Sequence, residues 1–352
     1  MKPTLLLRRA ALLGVLLALS PLPMACATAA NTELVQRDDV REFAREVSQR
    51  NGLDQGEVLA ILAQAQIQES IIAAMDRPAE SKAWYQYRPI FVNEKRIADG
   101  AAFMREHAAK LSELEQKYGV PSEILVAIVG VETGYGRNVG KYSVLDALVT
   151  LSFEYPRRAP FFRKELEQFI LLARDENVSV SNAKGSYAGA MGLPQFMPSS
   201  YRQWAVDGDG DSKRDLWGST DDVLASVANY FVEHGWQRGG SVIVPLSMPE
   251  SLLETPGRFE AMLNRGRDLA AKTTLGELRA LGVGVPIAQG RDDLPIMLIP
   301  LQEEDDLRYM GGLPNFFVIT RYNHSAHYAL AVWELAQAIR QRSQNQGSKS
   351  AS

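Results

Sequence analysis

Along residues 38–119 the apolar positions recur at helical intervals, with polar residues filling the opposite face. Asp38-Asp39 opens one helix that ends near Asn51-Gly52, and Asp54 caps a second that runs to about Met75. An aromatic loop with Trp84, Tyr85, Tyr87 and Phe91 follows, then a long charged amphipathic helix from about Asn93 to Tyr118. Residues 120–237 are again helical, broken by Gly/Pro loops. The texture changes over 241–312, where Val242 to Pro245 and Ile296 to Ile299 read as short strands around a short helix, Thr274 to Leu281. The helical pattern returns from Tyr328 to Ile339, and the polar stretch after Arg340 predicts a disordered tail. The pattern therefore predicts a mainly α (α+β) chain. Its segments are a helical N-terminal subdomain (31–119), a core (120–240), a small α+β insert (241–312), a return to the core (313–340) and the tail (341–352).

One acid breaks this pattern. Pro121-Ser122-Glu123 starts a helix, and Ile124, Leu125 and Ile128 mark its apolar face. Glu132 lies four residues after Ile128 and seven after Leu125, so it shares that face. It also falls in the last turn, before Gly134. Desolvation and the negative end of the helix dipole both disfavour its charged form. Such a site suits a general acid that keeps its proton near neutral pH. The plainer reading is an acid that ends a helix in solvent.

Residues 1–30 read as an export signal. Lys2, Arg8 and Arg9 form the basic start, Ala10 to Leu19 is an apolar run too short to span a bilayer, and small residues follow with Ala-x-Ala spacing. The Arg8-Arg9 pair could also be a twin-arginine signal; its context favours the general secretory route. Cys26, the only cysteine, sits where a lipoprotein would be cut and acylated; Ala25 fits that motif and Pro23 does not. Acylation of Cys26, and ordinary cleavage that discards it, both stay open. The net charge of −4 leaves no footprint for nucleic acid, and 46% apolar content excludes a disordered chain.

The stretch Gly185-Ser186-Tyr187-Ala188-Gly189-Ala190-Met191-Gly192-Leu193-Pro194-Gln195-Phe196, taken with Glu132-Thr133-Gly134-Tyr135-Gly136, closely resembles the lytic murein transglycosylases of the membrane-bound B type. The resemblance runs from about residue 35 to 340. It implies a lysozyme-like helical catalytic core with a glycan cleft, in which Glu132 is the catalytic acid and peptidoglycan glycan strands are the partner. It also implies cleft roles for Ser186 and Gln195, and aromatic walls at Tyr87 and Tyr230. Tyr322, Asn323 and Tyr328 match a signature at 321–328, and Arg157 and Arg158 a basic pair near the glycan. Separately, each of these reads as an ordinary packing or surface residue. Their joint order carries the argument.

Most glycosidases use two carboxylates. Asp146, Glu154 and Glu165 lie near in sequence, but none has a distinctive setting. The resemblance implies that Glu132 alone acts. It would protonate the oxygen that leaves N-acetylmuramic acid, then take the proton of the sugar's own 6-hydroxyl as a 1,6-anhydro ring closes. Ser186, Gln195 and Asn323 are plausible hydrogen-bonders to the N-acetyl group. A lysozyme-type hydrolase and a non-catalytic peptidoglycan-binding scaffold are the competing readings. Residues 1–30 with this substrate place the protein in the periplasm, attached to the outer membrane if Cys26 is acylated.

A second motif is Asp207-Gly208-Asp209-Gly210-Asp211-Ser212-Lys213. Acids at loop positions 1, 3 and 5, with a backbone carbonyl at 7, suit structural calcium. The usual EF-hand pattern fails at Ser212 and Gly218, and the closing acid is Asp221 or Asp222. The resemblance implies an enlarged EF-hand-like loop and favours Asp222. An Asp/Gly surface turn without metal is the alternative. His324 and His327, three apart, lack a third ligand and read as cleft or packing residues.

Overall fold

The computed structural model describes residues 31–76, 82–176, 178–254, 257–266, 268–287 and 291–350. The export signal and Cys26 lie outside them. Seven helices precede the core: α1 (Thr32–Gln36), α2 (Asp38–Asn51), α3 (Gln55–Leu62), α4 (Glu69–Met75), α5 (Trp84–Phe91), α6 (Glu94–Glu106) and α7 (Ala108–Tyr118). The core then runs α8 (Ser122–Thr133), β1 (Tyr142–Ser143), α9 (Val144–Phe153), α10 (Ala159–Asp175), β2 (Lys184–Gly185), α11 (Pro198–Trp204) and α12 (Thr220–Glu233). The insert comprises β3 (Ile243–Pro245), α13 (Glu250–Leu253), α14 (Arg258–Met262), β4 (Thr273–Thr274), α15 (Leu275–Ala280), β5 (Pro295–Gln302) and β6 (Leu307–Gly312). Helices α16 (Pro314–Tyr322) and α17 (Ala326–Ser350) close the chain back onto the core.

Helix α8 is the hub. Its residues from Ser122 to Val131 are buried on every side, so it cannot be a surface helix. Helices α6, α7, α12 and α17 all pack against it. Leu330, Ala331, Val332, Leu335, Ala336 and Ile339 of α17 are fully buried in the same cluster. The insert carries a second, smaller core around Leu275, Leu278, Ile296 and Leu298. Its antiparallel sheet has the order β3-β6-β5-β4, with Ile299 opposite Met310.

Several elements depart from the sequence pattern. The aromatic segment at 84–91 is helix rather than loop, because Trp84 and Tyr87, one turn apart, bury the same face; Pro89 sits inside and the helix ends two residues later. The single helix expected from Asp54 to Met75 is two helices. Between them the N–H groups of Gln66 and Gln68 go to Asp146 Oδ1 at 2.9 Å and Thr150 Oγ1 at 3.0 Å, which diverts them from a helix ladder. The long helix over 93–118 breaks at His107, whose ring packs 4.4 Å from that of Phe103. Strand β6, Leu-Arg-Tyr-Met-Gly-Gly, carries little strand propensity; its place between β3 and β5 imposes the pairing. The tail expected after Arg340 is helical to Ser350, and Ser343 touches Met104.

Candidate active site

Glu132 occupies the last turn of α8. The helix closes on Gly134 at φ 57°, and Tyr135 (φ 63°) and Gly136 (φ 83°) continue the left-handed run. For a tyrosine this conformation costs on the order of 1–3 kcal/mol. Its side chain offsets the cost. The Tyr135 hydroxyl donates to the Arg96 carbonyl at 2.9 Å. The hydroxyl also sits where a Cβ at Gly130 would approach within 2.5 Å, or one at Gly100 within 2.4 Å. Thr133 Oγ1 donates to the Leu193 carbonyl at 3.1 Å and accepts the Gly136 N–H at 3.1 Å. The turn after the acid is thus pinned both to α6 and to the glycine-rich segment.

The other wall comes from the end of the chain. Tyr328, in the first turn of α17, donates its hydroxyl to Glu132 Oε1 at 2.5 Å. Tyr322 stacks on Tyr328 at 6.5 Å and 11°, and donates to the Pro194 carbonyl at 2.6 Å. Tyr230 meets Tyr322 edge-on at 5.0 Å and donates to the Arg321 carbonyl at 2.7 Å. Tyr87 is buried, 5.4 Å from the His327 ring, which also packs on Trp84 at 5.5 Å. His327 is therefore a packing residue between α5 and α17.

Within the glycine-rich segment, Ser186 Oγ accepts the N–H groups of Ala188 at 3.2 Å and Ala190 at 3.1 Å. Gln195 is left-handed (φ 52°), and its amide nitrogen donates to the Gly192 carbonyl at 2.8 Å and the Val139 carbonyl at 3.2 Å. Both side chains shape the loop as well as facing the site's neighbourhood. Asn323 follows α16 in extended backbone, half-buried, and its side chain makes no hydrogen bond among the described residues. Arg157 and Arg158 stand apart. They are exposed on the turn before α10, where Arg158 covers the rings of Phe161 at 4.7 Å and Phe162 at 5.0 Å. Among the described residues neither touches the group around Glu132.

Burial pushes the Glu132 carboxyl up to about 7, against a smaller downward pull from the Tyr328 hydrogen bond. The Tyr328 and Tyr322 phenols are held well above their ordinary range, by burial first and then by the neighbouring carboxylate. Among the described residues no second carboxylate perturbs Glu132. The sequence neighbours are engaged elsewhere. Asp146 accepts from Gln66 and Gln68, Glu154 pairs with Arg37, and Glu165 accepts the Ser199 N–H at 2.9 Å and hydroxyl at 2.7 Å. A cavity of about 430 Å³ opens on Glu132, walled by Phe91, Arg96, Asp99 and Arg137. Thr133, Arg96 and Arg137 are parts of the site that the sequence reading misses; no pattern of spacing distinguishes them from surface residues.

The acidic loop brings carboxylate oxygens of Asp207, Asp209 and Asp211 within 4.8 Å of one another, all three residues exposed. The loop holds this shape itself. Asp207 accepts the N–H groups of Gly210 at 2.6 Å and Ser212 at 2.8 Å, and Asp211 accepts that of Lys213 at 2.8 Å. Asp222 corrects the expected ligand set. It is fully buried, and its carboxylate accepts the N–H groups of Gly208 at 2.7 Å, Asp209 at 3.3 Å and Asp215 at 2.6 Å. It clamps the loop from beneath and does not join the acidic trio. Asp221 points outward toward Lys110 at 3.7 Å, and Lys110 also donates to the Gly208 carbonyl at 2.9 Å.

One buried acid, clasped by tyrosines at the end of a central helix in a helical core, defines a class of glycan-cleaving domain. The chain belongs to the transglycosylase SLT domain family, whose profile matches residues 36–337. It is 41% identical over 317 residues to the membrane-bound lytic murein transglycosylase B of Escherichia coli (strain K12), spanning 87% of this chain and 84% of that relative. Among solved structures it is similar to the lytic transglycosylase SltB1 of Pseudomonas aeruginosa, with a TM-score of 0.81, 45% identity, and 87% of this chain and 98% of that one covered. It is also similar to the Escherichia coli lytic transglycosylase Slt35 solved in complex with calcium, with a TM-score of 0.78, 39% identity, and 92% and 99% covered.

Proposed function

We propose that this lytic transglycosylase cleaves the β-1,4 bond between N-acetylmuramic acid and N-acetylglucosamine in peptidoglycan and leaves a 1,6-anhydro end. The observation that carries the reading is a single carboxyl, Glu132, held near pKa 7 by burial and contacted by one phenol. Protonated Glu132 gives its proton to the leaving oxygen, and the C1–O bond breaks. The new carboxylate accepts the Tyr328 hydrogen bond, which steadies the charged form between the two steps. It then removes the proton of the 6-hydroxyl as that oxygen bonds to C1. The acid is regenerated and no water is consumed. Holding the 6-hydroxyl on the same sugar makes this attack intramolecular and competitive with water. Asn323, with its amide uncommitted, supplies a hydrogen bond to the substrate; Ser186, Gln195, Tyr87, Tyr230 and Tyr322 form walls of the glycan cleft. Mass analysis of a peptidoglycan digest tests the reading. Anhydro-muropeptides are expected from the wild type and none from Glu132→Gln. Products that all carry reducing-end muramic acid would make the protein a hydrolase.

The exposed trio Asp207, Asp209 and Asp211 suits a hard cation by its oxygen donors, and the Lys213 carbonyl is the neutral donor next in order. Calcium there is structural and shields carboxylates that otherwise repel one another. The periplasm is the compartment that holds the substrate, and acylation at Cys26 would tether the enzyme to the outer membrane. Among the described residues no helix is long and apolar enough to cross a membrane. Fractionation of a Cys26→Ser variant tests the tether, which predicts movement from membrane to soluble fraction.

A further inference from the structure

We propose that the cavity beside Glu132 is an anion subsite in which Arg96 receives a carboxylate of the glycan substrate. The inference rests on the transglycosylase reading and adds a specificity-determining residue to it. The cavity wall holds three cations, Lys95, Arg96 and Arg137, and one further acid, Asp99. Asp99 is already shared, with Lys95 Nζ at 2.8 Å and with Arg137 Nη2. Arg96 has no carboxylate partner among the described residues. Its Nη1 donates to the Ile90 carbonyl at 2.7 Å, and its guanidinium lies 5.3 Å from the centre of the Phe91 ring. The residue is half-buried, and burial and the Arg137 charge both work against its charged form. Glu132 does not neutralise it, since burial keeps that carboxyl largely protonated up to about pH 7.

A partly desolvated guanidinium without a counter-ion is an unfavourable arrangement unless an anion arrives. The fork-shaped group has five N–H donors, of which Ile90 takes one, and matches a carboxylate in bidentate fashion. Peptidoglycan brings that chemistry. Muramic acid, on one side of the bond that Glu132 attacks, carries a lactyl ether. Its carboxyl is either free or extended into a peptide with carboxylates of its own. Either source presents the same group to Arg96.

The test compares wild type, Arg96→Gln and Arg96→Lys on three soluble preparations of glycan strands. One is native, one has all carboxylates amidated with carbodiimide and ammonia, and one is stripped of peptide but keeps the lactyl carboxylate. Anhydro-product formation gives kcat and KM for each. On native strands Arg96→Gln should raise KM about tenfold at unchanged kcat, with partial recovery in Arg96→Lys. On amidated strands wild type and Arg96→Gln should not differ. On stripped strands, persistence of the effect assigns the lactyl carboxylate, and its disappearance assigns the peptide. Equal KM on native strands overturns the proposal. So does an equal loss on native and amidated strands, which would reduce Arg96 to a clamp on Ile90. A wild type that forms no anhydro product on any preparation would instead sink the transglycosylase reading itself.

Discussion

The Tyr328 hydroxyl reaches Glu132 Oε1 at 2.5 Å across 196 residues of sequence. The two side chains act on each other in opposite senses. Burial raises the carboxyl, the phenol's hydrogen bond lowers it, and the carboxylate in turn raises the phenol. Removing the hydroxyl in Tyr328→Phe leaves burial unopposed. The limb of the kcat/KM profile that falls as pH rises through the Glu132 pKa should therefore move to higher pH. The carboxylate form also loses a hydrogen bond to a charged group, a loss of roughly 1.5–3 kcal/mol, so kcat should drop by about tenfold or more. A pH–rate profile that superimposes on the wild type would remove Tyr328 from this role.

The same burial makes Glu132 a burden on stability. Its folded pKa of about 7 lies above the ordinary value of 4.5. The folded state thus binds the proton more tightly than the unfolded chain. No penalty applies below the unfolded value; stability is lost as pH rises toward the folded value, and the loss is complete above it. Glu132→Gln keeps the shape without the charge. It should abolish turnover and be more stable than wild type at pH 8, by up to about 3 kcal/mol. The difference should vanish near pH 4. Thermal melts of both proteins across that range give the answer.

Gly130 lies inside α8, where alanine is intrinsically the better helix former by about 1 kcal/mol. Packing should reverse that preference. A methyl group there would meet the Tyr135 hydroxyl at 2.5 Å and its ring carbons at 2.7 and 2.9 Å. Overpacking of this kind costs roughly 1–3 kcal/mol and would push Tyr135 from the Arg96 carbonyl. Gly130→Ala should lower both the melting temperature and kcat. A variant that melts at or above the wild type would show that the turn yields more easily than these contacts imply.

The acidic loop separates two kinds of aspartate. At free calcium about 100 times the dissociation constant, binding should add roughly 2.7 kcal/mol, so chelation should lower the melting temperature. Asp209→Asn should weaken calcium binding, yet in chelator it should be no less stable than wild type. Asp222→Ala should be destabilised with or without calcium. It strands the buried N–H groups of Gly208, Asp209 and Asp215 at about 1–3 kcal/mol each. Melting curves in calcium and in chelator would separate the two. Equal behaviour of the two variants in chelator would return Asp222 to the ligand set.

Glu132 is legible in sequence because helical spacing alone places it on a buried face at a helix end. Its partner is not, because no local signal joins residue 132 to residue 328. The insert's two apolar strands and the short helix at 275–280 can be read from local composition. Strand β6 cannot, since neighbouring strands dictate it. The helices at 84–91 and the break at 63–68 are likewise settled by distant partners, Asp146 and Thr150 among them. The acidic repeat shows where a cation would sit, but not that Asp222 faces inward. Adjacent acids on one helix turn differ only in which side of α12 they occupy.

The clasp between α8 and the first turn of α17 gives the molecule an order of events. A chain emerging from synthesis carries its acid long before it carries Tyr322 and Tyr328. Until those segments dock, the end of α8 lacks one wall, the acid stays wet, and its proton leaves at an ordinary carboxylate pH. Wall-cutting competence therefore arrives late and all at once, as a property of the finished fold. For an enzyme whose substrate is the casing of the cell that makes it, incomplete copies are harmless by construction.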